Sequence, residues 1–381
     1  YSMGEVGDDH CNSRWMYASQ YSYGGTSRLN DNPNQGSTYT WYKQSVVGNP
    51  DVHWEKALKK DFGVELSIFH NLLSVNYDYF TEKRSDILID GGSRSVPSYY
   101  GTTAPTANLG KVDAHGHELE ILFDKSIANG MHFWSNFAFS HTVNKIIFRD
   151  DAELLDSYQK AAGHTIGQTT TQVCTGYYNN WDDVYASVPT ETNDLKKLPG
   201  EYNLLDYNGD GQITSLDNVP YGYSGIPQNT YSYTLGMDYK GFSIMAQFYA
   251  VNNVSRWMTP LNFANYQDVL FSCVSDYWTK ANQSASSPLP RWKTVGQNLG
   301  NHYLYDGSYV RLKTAEIAYT FENKWVKRAG MSSLKLYLNG ENLFLWTKLP
   351  DDREAATQGG DTSSGAYPTC KRFNLGIDLT F

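Results

Sequence analysis

Arg372-Phe373-Asn374-Leu375-Gly376-Ile377-Asp378-Leu379-Thr380-Phe381 alternates between apolar and polar without a break. Successive side chains of a strand point to opposite sides. Phe373, Leu375, Ile377, Leu379 and Phe381 therefore share one face, and Asn374, Gly376, Asp378 and Thr380 share the other. Hydrocarbon on one side and water on the other accounts for such a strand. The design recurs upstream: Leu73, Val75, Tyr77 and Tyr79 alternate with Ser74, Asn76 and Asp78. Phe242, Ile244, Ala246, Phe248 and Ala250 alternate with a mixed face containing Ser243 and Gln247. About nine segments of this kind are expected, near residues 53–68, 72–88, 111–125, 131–148, 229–239, 242–252, 308–321, 333–343 and 372–381.

The connections between these segments alternate in length. His70-Asn71, Ala128-Asn129-Gly130 and Lys240-Gly241 are tight turns, and 322–332 is slightly longer. The links at 89–110, 149–228, 253–307 and 344–371 are long, which compact soluble domains seldom tolerate. Short turns at one end and long loops at the other is the rule of outer-membrane barrels. Phe69, Phe133, Trp134, Tyr239, Phe242, Phe321 and Phe381 flank the short-turn ends as an aromatic girdle would. Val310 and Leu312 are in one phase whereas Ile317, Tyr319 and Phe321 are in the other, so a bulge is expected between Lys313 and Glu316. Residues 1–52 contain Gly24-Gly25 and Asn30-Asp31-Asn32-Pro33-Asn34, lack sustained alternation and read mostly as an outer loop.

Composition supports a barrel. Aromatic residues make up 15% of the chain while mean hydropathy is only -0.53. Alternate residues facing lipid, a polar lumen and aromatic girdles reconcile the two values. No stretch approaches the roughly 20 apolar residues of a membrane helix. A soluble β-sandwich would also alternate, but its connections are not alternately short and very long. The net charge of -9 and the absence of a basic stripe exclude nucleic acid as a partner. The chain begins at Tyr1 with no signal peptide and reads as a processed protein or a piece of a longer one.

Asp206-Tyr207-Asn208-Gly209-Asp210-Gly211-Gln212-Ile213-Thr214-Ser215-Leu216-Asp217 is the sharpest local signal. Asp206, Asn208 and Asp210 offer oxygen at the first, third and fifth positions, Gln212 a carbonyl at the seventh and Asp217 a carboxylate at the twelfth. Hard cations require such donors, so a structural calcium bracing the longest loop is expected. An Asx-rich turn without an ion is the other reading. In the same loop, Tyr177, Tyr178, Trp181 and Tyr185 offer aromatic faces with polar edges suited to a sugar or peptide, or to packing. His115 and His117 share a strand face but are too few for a metal centre. Cys11, Cys174, Cys273 and Cys370 fall one per outer loop, a distribution that permits disulfides without choosing a pairing. The sequence holds no His-Glu-x-x-His, Gly-x-Ser-x-Gly or phosphate-cradling glycine motif, so no enzyme is expected.

Several motifs, in order, resemble the SusC/RagA-type TonB-dependent transporters. They are Asn49-Pro50-Asp51-Val52-His53-Trp54-Glu55-Lys56, Phe62-Gly63-Val64-Glu65, Asp78-Tyr79-Phe80-Thr81-Glu82-Lys83-Arg84-Ser85-Asp86-Ile87-Leu88 and Gly116-His117-Glu118-Leu119-Glu120. They continue with Tyr239-Lys240-Gly241-Phe242, Asp276-Tyr277-Trp278-Thr279 with Pro290-Arg291-Trp292, Tyr309-Val310-Arg311-Leu312-Lys313 and Asn339-Gly340-Glu341-Asn342-Leu343-Phe344. The resemblance implies that the chain is the C-terminal portion of an antiparallel transmembrane β-barrel of about 22 strands with long extracellular loops. The plug domain and earlier strands would lie outside it. It further implies a Gram-negative outer membrane, import of glycan oligosaccharides or peptides, a SusD-like surface lipoprotein as lid, and TonB contact through the missing N-terminal region. A passive porin-like channel and a calcium-binding surface adhesin are the alternatives. The strand at 372–381 is expected to pair with the first strand of the missing portion, and the strand at 53–68 with its preceding strand.

Overall fold

The computed structural model describes residues 1–8, 14–27, 38–257, 275–289, 300–349 and 369–381. Ten strands form one sheet: β1 (Ser2–Asp8), β2 (Glu55–Ile68), β3 (Leu73–Ile89), β4 (Ala107–Ser126), β5 (Met131–Phe148), β6 (Asn229–Tyr239), β7 (Phe242–Asn252), β8 (Tyr309–Phe321), β9 (Ser333–Thr347) and β10 (Arg372–Thr380). Their order in the sheet is their order in the chain, an up-and-down meander with β1 and β10 at its edges. No helix among the described residues is long and apolar enough to cross a membrane.

The strand absent from the sequence reading is β1, inside the stretch expected to be mostly loop. Ser2-Met3-Gly4-Glu5-Val6-Gly7-Asp8 has no apolar face to announce a strand. Backbone pairing forms it instead, running antiparallel to β2 from Ser2↔Asp61 to Asp8↔Glu55. The preceding strand that β2 needed thus lies within the chain. Gln20–Ser27 and Tyr39–Val46 also pair, as a separate hairpin.

The chain divides into two compact units. The first comprises Tyr1–Phe62, Tyr79–His115 and Val143–Ile166. Asn108 ties strands together there, its Nδ2 donating to the carbonyls of His53 and Asp86, each at 2.7 Å. Arg94 pairs with Asp150 at 3.1 Å and donates to the Pro105 carbonyl at 3.0 Å.

The second unit comprises Gly63–Asp78, Gly116–Thr142 and Gly167–Phe381. Its register converts the sequence alternation into continuous rows. Phe133, Met237, Ile244, Ile317, Leu338 and Leu375 are successive cross-strand partners from β5 to β10. Met131, Tyr239, Phe242, Tyr319, Leu336 and Ile377 form the next row toward the short turns. These side chains are largely exposed, including Leu375 at 82% and Ile317 at 54%. An exposed apolar face this broad fits hydrocarbon rather than water. Trp134, expected in the aromatic girdle, is one residue out of that phase and lies on the polar face. There it covers Gly236, where a Cβ would stand 2.3 Å from the indole.

Lys313 is the bulge residue. β7 passes from Gln247↔Thr314 to Phe248↔Leu312, and β9 shifts register at the same place. The apolar phase is thereby restored on both sides. At the β6–β7 turn Lys240 and Gly241 have φ of 51° and 85°, the left-handed pair of a two-residue type I′ turn. The longer connection before β9 contains a short helix, Lys324–Arg328.

Candidate functional site

On the polar face of the second unit, side chains satisfy one another across strands. Glu120 accepts from Asn136 Nδ2 at 3.1 Å and Asn76 Nδ2 at 3.4 Å. Lys335 pairs with Glu316 at 2.8 Å, and Asn374 donates to Asn339 at 2.9 Å. Near the short turns His132 bridges Asp124 and Asp238, each at 3.1 Å. A cavity of about 400 Å³ opens on this wall, lined by Glu65, Asp78, Glu118 and Glu120 with Ser140, Thr230, Ser232 and Tyr249 among its other residues. Carboxylates and hydroxyls suit a polar ligand rich in donors.

The long connection after β5 builds a packed core of its own. Tyr178, Tyr202, Leu204, Ile213, Trp278 and Tyr303 are buried. Tyr202 stacks on Tyr177 with centroids 5.0 Å apart and meets His302 at 4.5 Å and Tyr303 edge-on at 6.4 Å. Gly200, at φ 91°, lies under Trp278, where a Cβ would approach the indole to 2.5 Å. Lys197 is buried but satisfied: Nζ donates to the Val188 carbonyl at 2.7 Å and Ser187 Oγ at 3.0 Å, and pairs with Asp194 at 2.8 Å. The Lys197 ammonium holds the Asp194 carboxyl below the usual carboxylate range.

The four aromatic ligand candidates separate into two pairs. Tyr178 is 3% exposed and Tyr177 donates its hydroxyl to the Ala285 carbonyl at 2.9 Å. Both belong to the core. Trp181 and Tyr185, 51% and 80% exposed, stand four residues apart on helix α1 (Trp181–Ala186). That spacing puts them on one helix face, and their rings stack at 6.0 Å and 28°. Asn180 caps the helix, accepting from Asp183 N at 2.8 Å.

The expected calcium ligands are adjacent in the same loop. Asp206 accepts from Gly209 N and Gly211 N, at 2.8 and 2.9 Å. Asp210 accepts from Gln212 N at 2.8 Å and from Asn208 Nδ2 at 2.9 Å. Asp217 is fully buried and takes Tyr207 N and Asn208 N on one oxygen and Thr214 N on the other. The Gln212 side chain is exposed. The donor types suit a hard cation, but every carboxylate is turned onto loop hydrogen bonds. Among the described residues no group of three or more His, Cys, Asp or Glu is arranged to hold a metal.

No family model matches the chain. Curated relatives do. A TonB-dependent receptor, P3, of Formosa agariphila is 27% identical over 87% of this chain, and SusC of Bacteroides thetaiotaomicron, also a TonB-dependent receptor, is 25% identical over 91%. The chain is similar to TonB-dependent receptors of the SusC type. It spans 35% and 34% of the length of those two relatives, about a third. The solved RagAB peptide importer in its open-open state superposes with a TM-score of 0.70 at 19% identity, covering all of this chain and 39% of its own, which shows a shared fold. None of these relatives is named as an enzyme.

The SusC/RagA-type motifs fall into structural roles. Tyr239-Lys240-Gly241-Phe242 is the type I′ turn, and Trp278 is a pillar of the loop core, its Nε1 donating to Asn179 Oδ1 at 3.3 Å. Pro290-Arg291-Trp292 lies outside the described residues, as do Cys11 and Cys273. Cys174 is half-buried, and burial pushes its thiol up to about 11. That thiol is not a nucleophile at neutral pH. His117 accepts or donates with Tyr77 Oη at 2.6 Å and stacks on His141, while His115 is exposed. Tyr202, Tyr303 and His302 escaped the sequence reading, because residues so far apart share no period that would mark them as neighbours.

Proposed function

We propose that this chain is the C-terminal barrel wall and loops of an outer-membrane transporter that imports large polar nutrients by TonB-dependent uptake in a Gram-negative bacterium. The observation that carries the proposal is the two-faced sheet: continuous exposed apolar rows on one side, and a hydrogen-bonded polar wall with an acid- and hydroxyl-lined cavity on the other. A wall of that kind separates lipid from a water-filled lumen. The names of the relatives support the coupling to TonB, which would act through a plug and an N-terminal region outside this chain. By analogy with the paired importer, a SusD-like lipoprotein would close the outer face. Substrate is a glycan or a peptide, both of which offer the donors that the cavity's acceptors need.

In the long loop, Trp181 and Tyr185 would meet substrate while Tyr177 and Tyr178 hold the scaffold. The loop at Asp206, Asn208, Asp210, Gln212 and Asp217 would bind calcium as a structural brace, a proposal that rests on its all-oxygen donor set and spacing. Titration calorimetry of the intact protein should then show calcium binding by millimolar concentration, and no heat there removes the ion.

Deletion of the whole gene should abolish accumulation of the cognate oligosaccharide or peptide from a screened panel. A protonophore should do the same in the parent strain. Uptake that persists with the membrane de-energised would replace this reading with that of a passive channel.

A further inference from the structure

On the apolar face, near the long-loop end of β6 to β9, there is a notch that import does not explain. Register places Tyr231, Ala250, Val310 and Trp346 in one cross-strand row, two small side chains between two large rings. Three strand spacings separate the rings, about 14 Å. A cavity of about 610 Å³ opens between them, and Asn252, Asp306, Ser308 and Lys348 line it alongside that row. Tyr231 is eight residues from Tyr239 at the short turn. For a strand tilted as in such barrels, that is about 20 Å above the turn, close to the outer edge of the apolar band.

Among the described residues the charge at this edge is cationic on balance. Lys348 is 83% exposed with Nζ 3.4 Å from Asp306, which also accepts from Ser308 N at 3.0 Å. Lys371 Nζ stands 5.7 Å from the centre of the Phe344 ring, and Phe344 stacks on Trp346 at 6.2 Å. Two lysines against one carboxylate, among the described residues, leave room for an anionic group. Ring walls and the amide, hydroxyl and carboxylate at the rim suit the faces and hydroxyls of a sugar. The rim groups bond one another, Ser308 Oγ to Asp306 at 2.5 Å and Asn252 Nδ2 to Tyr231 Oη at 3.5 Å, and a sugar would exchange these bonds for its own. A plain phospholipid head would use the lysines and leave the ring walls uncovered.

We propose that this notch binds the phosphorylated sugar headgroup of an outer-leaflet glycolipid, with the acyl chains running down the apolar rows. The inference rests on the outer-membrane reading above. The test uses the full-length transporter in nanodiscs and native mass spectrometry, with monophosphoryl lipid A, phosphatidylglycerol and free glucose 1-phosphate as probes. The variants are Lys348→Glu and Ala250→Trp, neither of which touches the lumen. Retention of monophosphoryl lipid A should fall at least about fivefold in Lys348→Glu, the loss of one favourable surface lysine, and also when Ala250→Trp fills the notch. If the tryptophan variant fails to assemble, the charge variant decides. Equal retention by Lys348→Glu and the parent overturns the site, as does equal occupancy by phosphatidylglycerol. Displacement by glucose 1-phosphate alone would show a sugar-phosphate pocket and overturn the lipid. Density fractionation of native membranes separates the two failures: a protein found outside the outer membrane sinks the parent reading, whereas unchanged retention in an outer-membrane protein sinks only the notch.

Discussion

Asp217 holds three backbone N–H groups on two oxygens with no exposure to solvent. Each buried donor left without an acceptor costs about 1–3 kcal/mol. Asp217→Ala should therefore loosen the 206–218 loop whether or not calcium is present, seen as faster hydrogen exchange at Tyr207, Asn208 and Thr214. Unchanged exchange would mean that water replaces the carboxylate and the loop needs no brace. His302 gives the loop core a pH dependence. Its Nε2 is 2.6 Å from the Ser286 carbonyl, which a neutral imidazole satisfies by donating, and burial lowers its pKa below the ordinary histidine value. The folded loop then binds the proton less readily than the unfolded chain. Its contribution is complete above about pH 6.5 and is lost as pH falls through that value toward the lower folded one. Proteolysis of the loop should accelerate on acidification through that window. His302→Gln, which keeps a donor and cannot titrate, should flatten the profile.

Helix α1 and the core beneath it show how residues of one type divide by element. Tyr178→Ala removes a buried ring and should cost about 3–5 kcal/mol of loop stability, as large-to-small core changes do. Trp181→Ala with Tyr185→Ala removes only an exposed pair and should leave the loop's melting unchanged while weakening substrate binding by the whole transporter. Equal substrate affinity in that double variant would make the pair a bystander. The sequence could not have made this division. Tyr177, Tyr178, Trp181 and Tyr185 sit within nine residues of each other and are alike in chemistry. What holds two of them is brought in from other segments of the chain: Tyr202 and the Ala285 carbonyl meet Tyr177, and Lys197 lies over the Tyr178 ring. By contrast, the bulge at Lys313 was legible. A phase change between Leu312 and Ile317 has one cheap remedy, an extra residue in the ladder.

Across the whole molecule the strands whose two faces differ in polarity were readable, and β1, whose sequence has no apolar face, was not. β10 carries its membrane face in its own sequence, whereas β1 owes its place to the backbone of β2 and carries no pattern of its own. The orientation of every strand from β5 to β10 hangs on the same period of two, so a single adjacent pair tests all six. Leu235 faces the apolar side, 37% exposed, between Ser135 and Ala246 in the register. Thr234 faces the polar side between Asn136 and Gln247. Leu235 is four residues from the turn at Tyr239, about 10 Å along the tilted strand and near the middle of the apolar band. A lysine there costs about 2–4 kcal/mol, because its charge meets hydrocarbon rather than water. Leu235→Lys should therefore reduce the folded, heat-modifiable band of the full-length transporter in outer-membrane fractions. Thr234→Lys places the same charge one residue away, among amides, and should assemble as the parent does. Were the two outcomes exchanged, the face assigned to lipid would be the lumen, and the notch at Ala250 would open onto water.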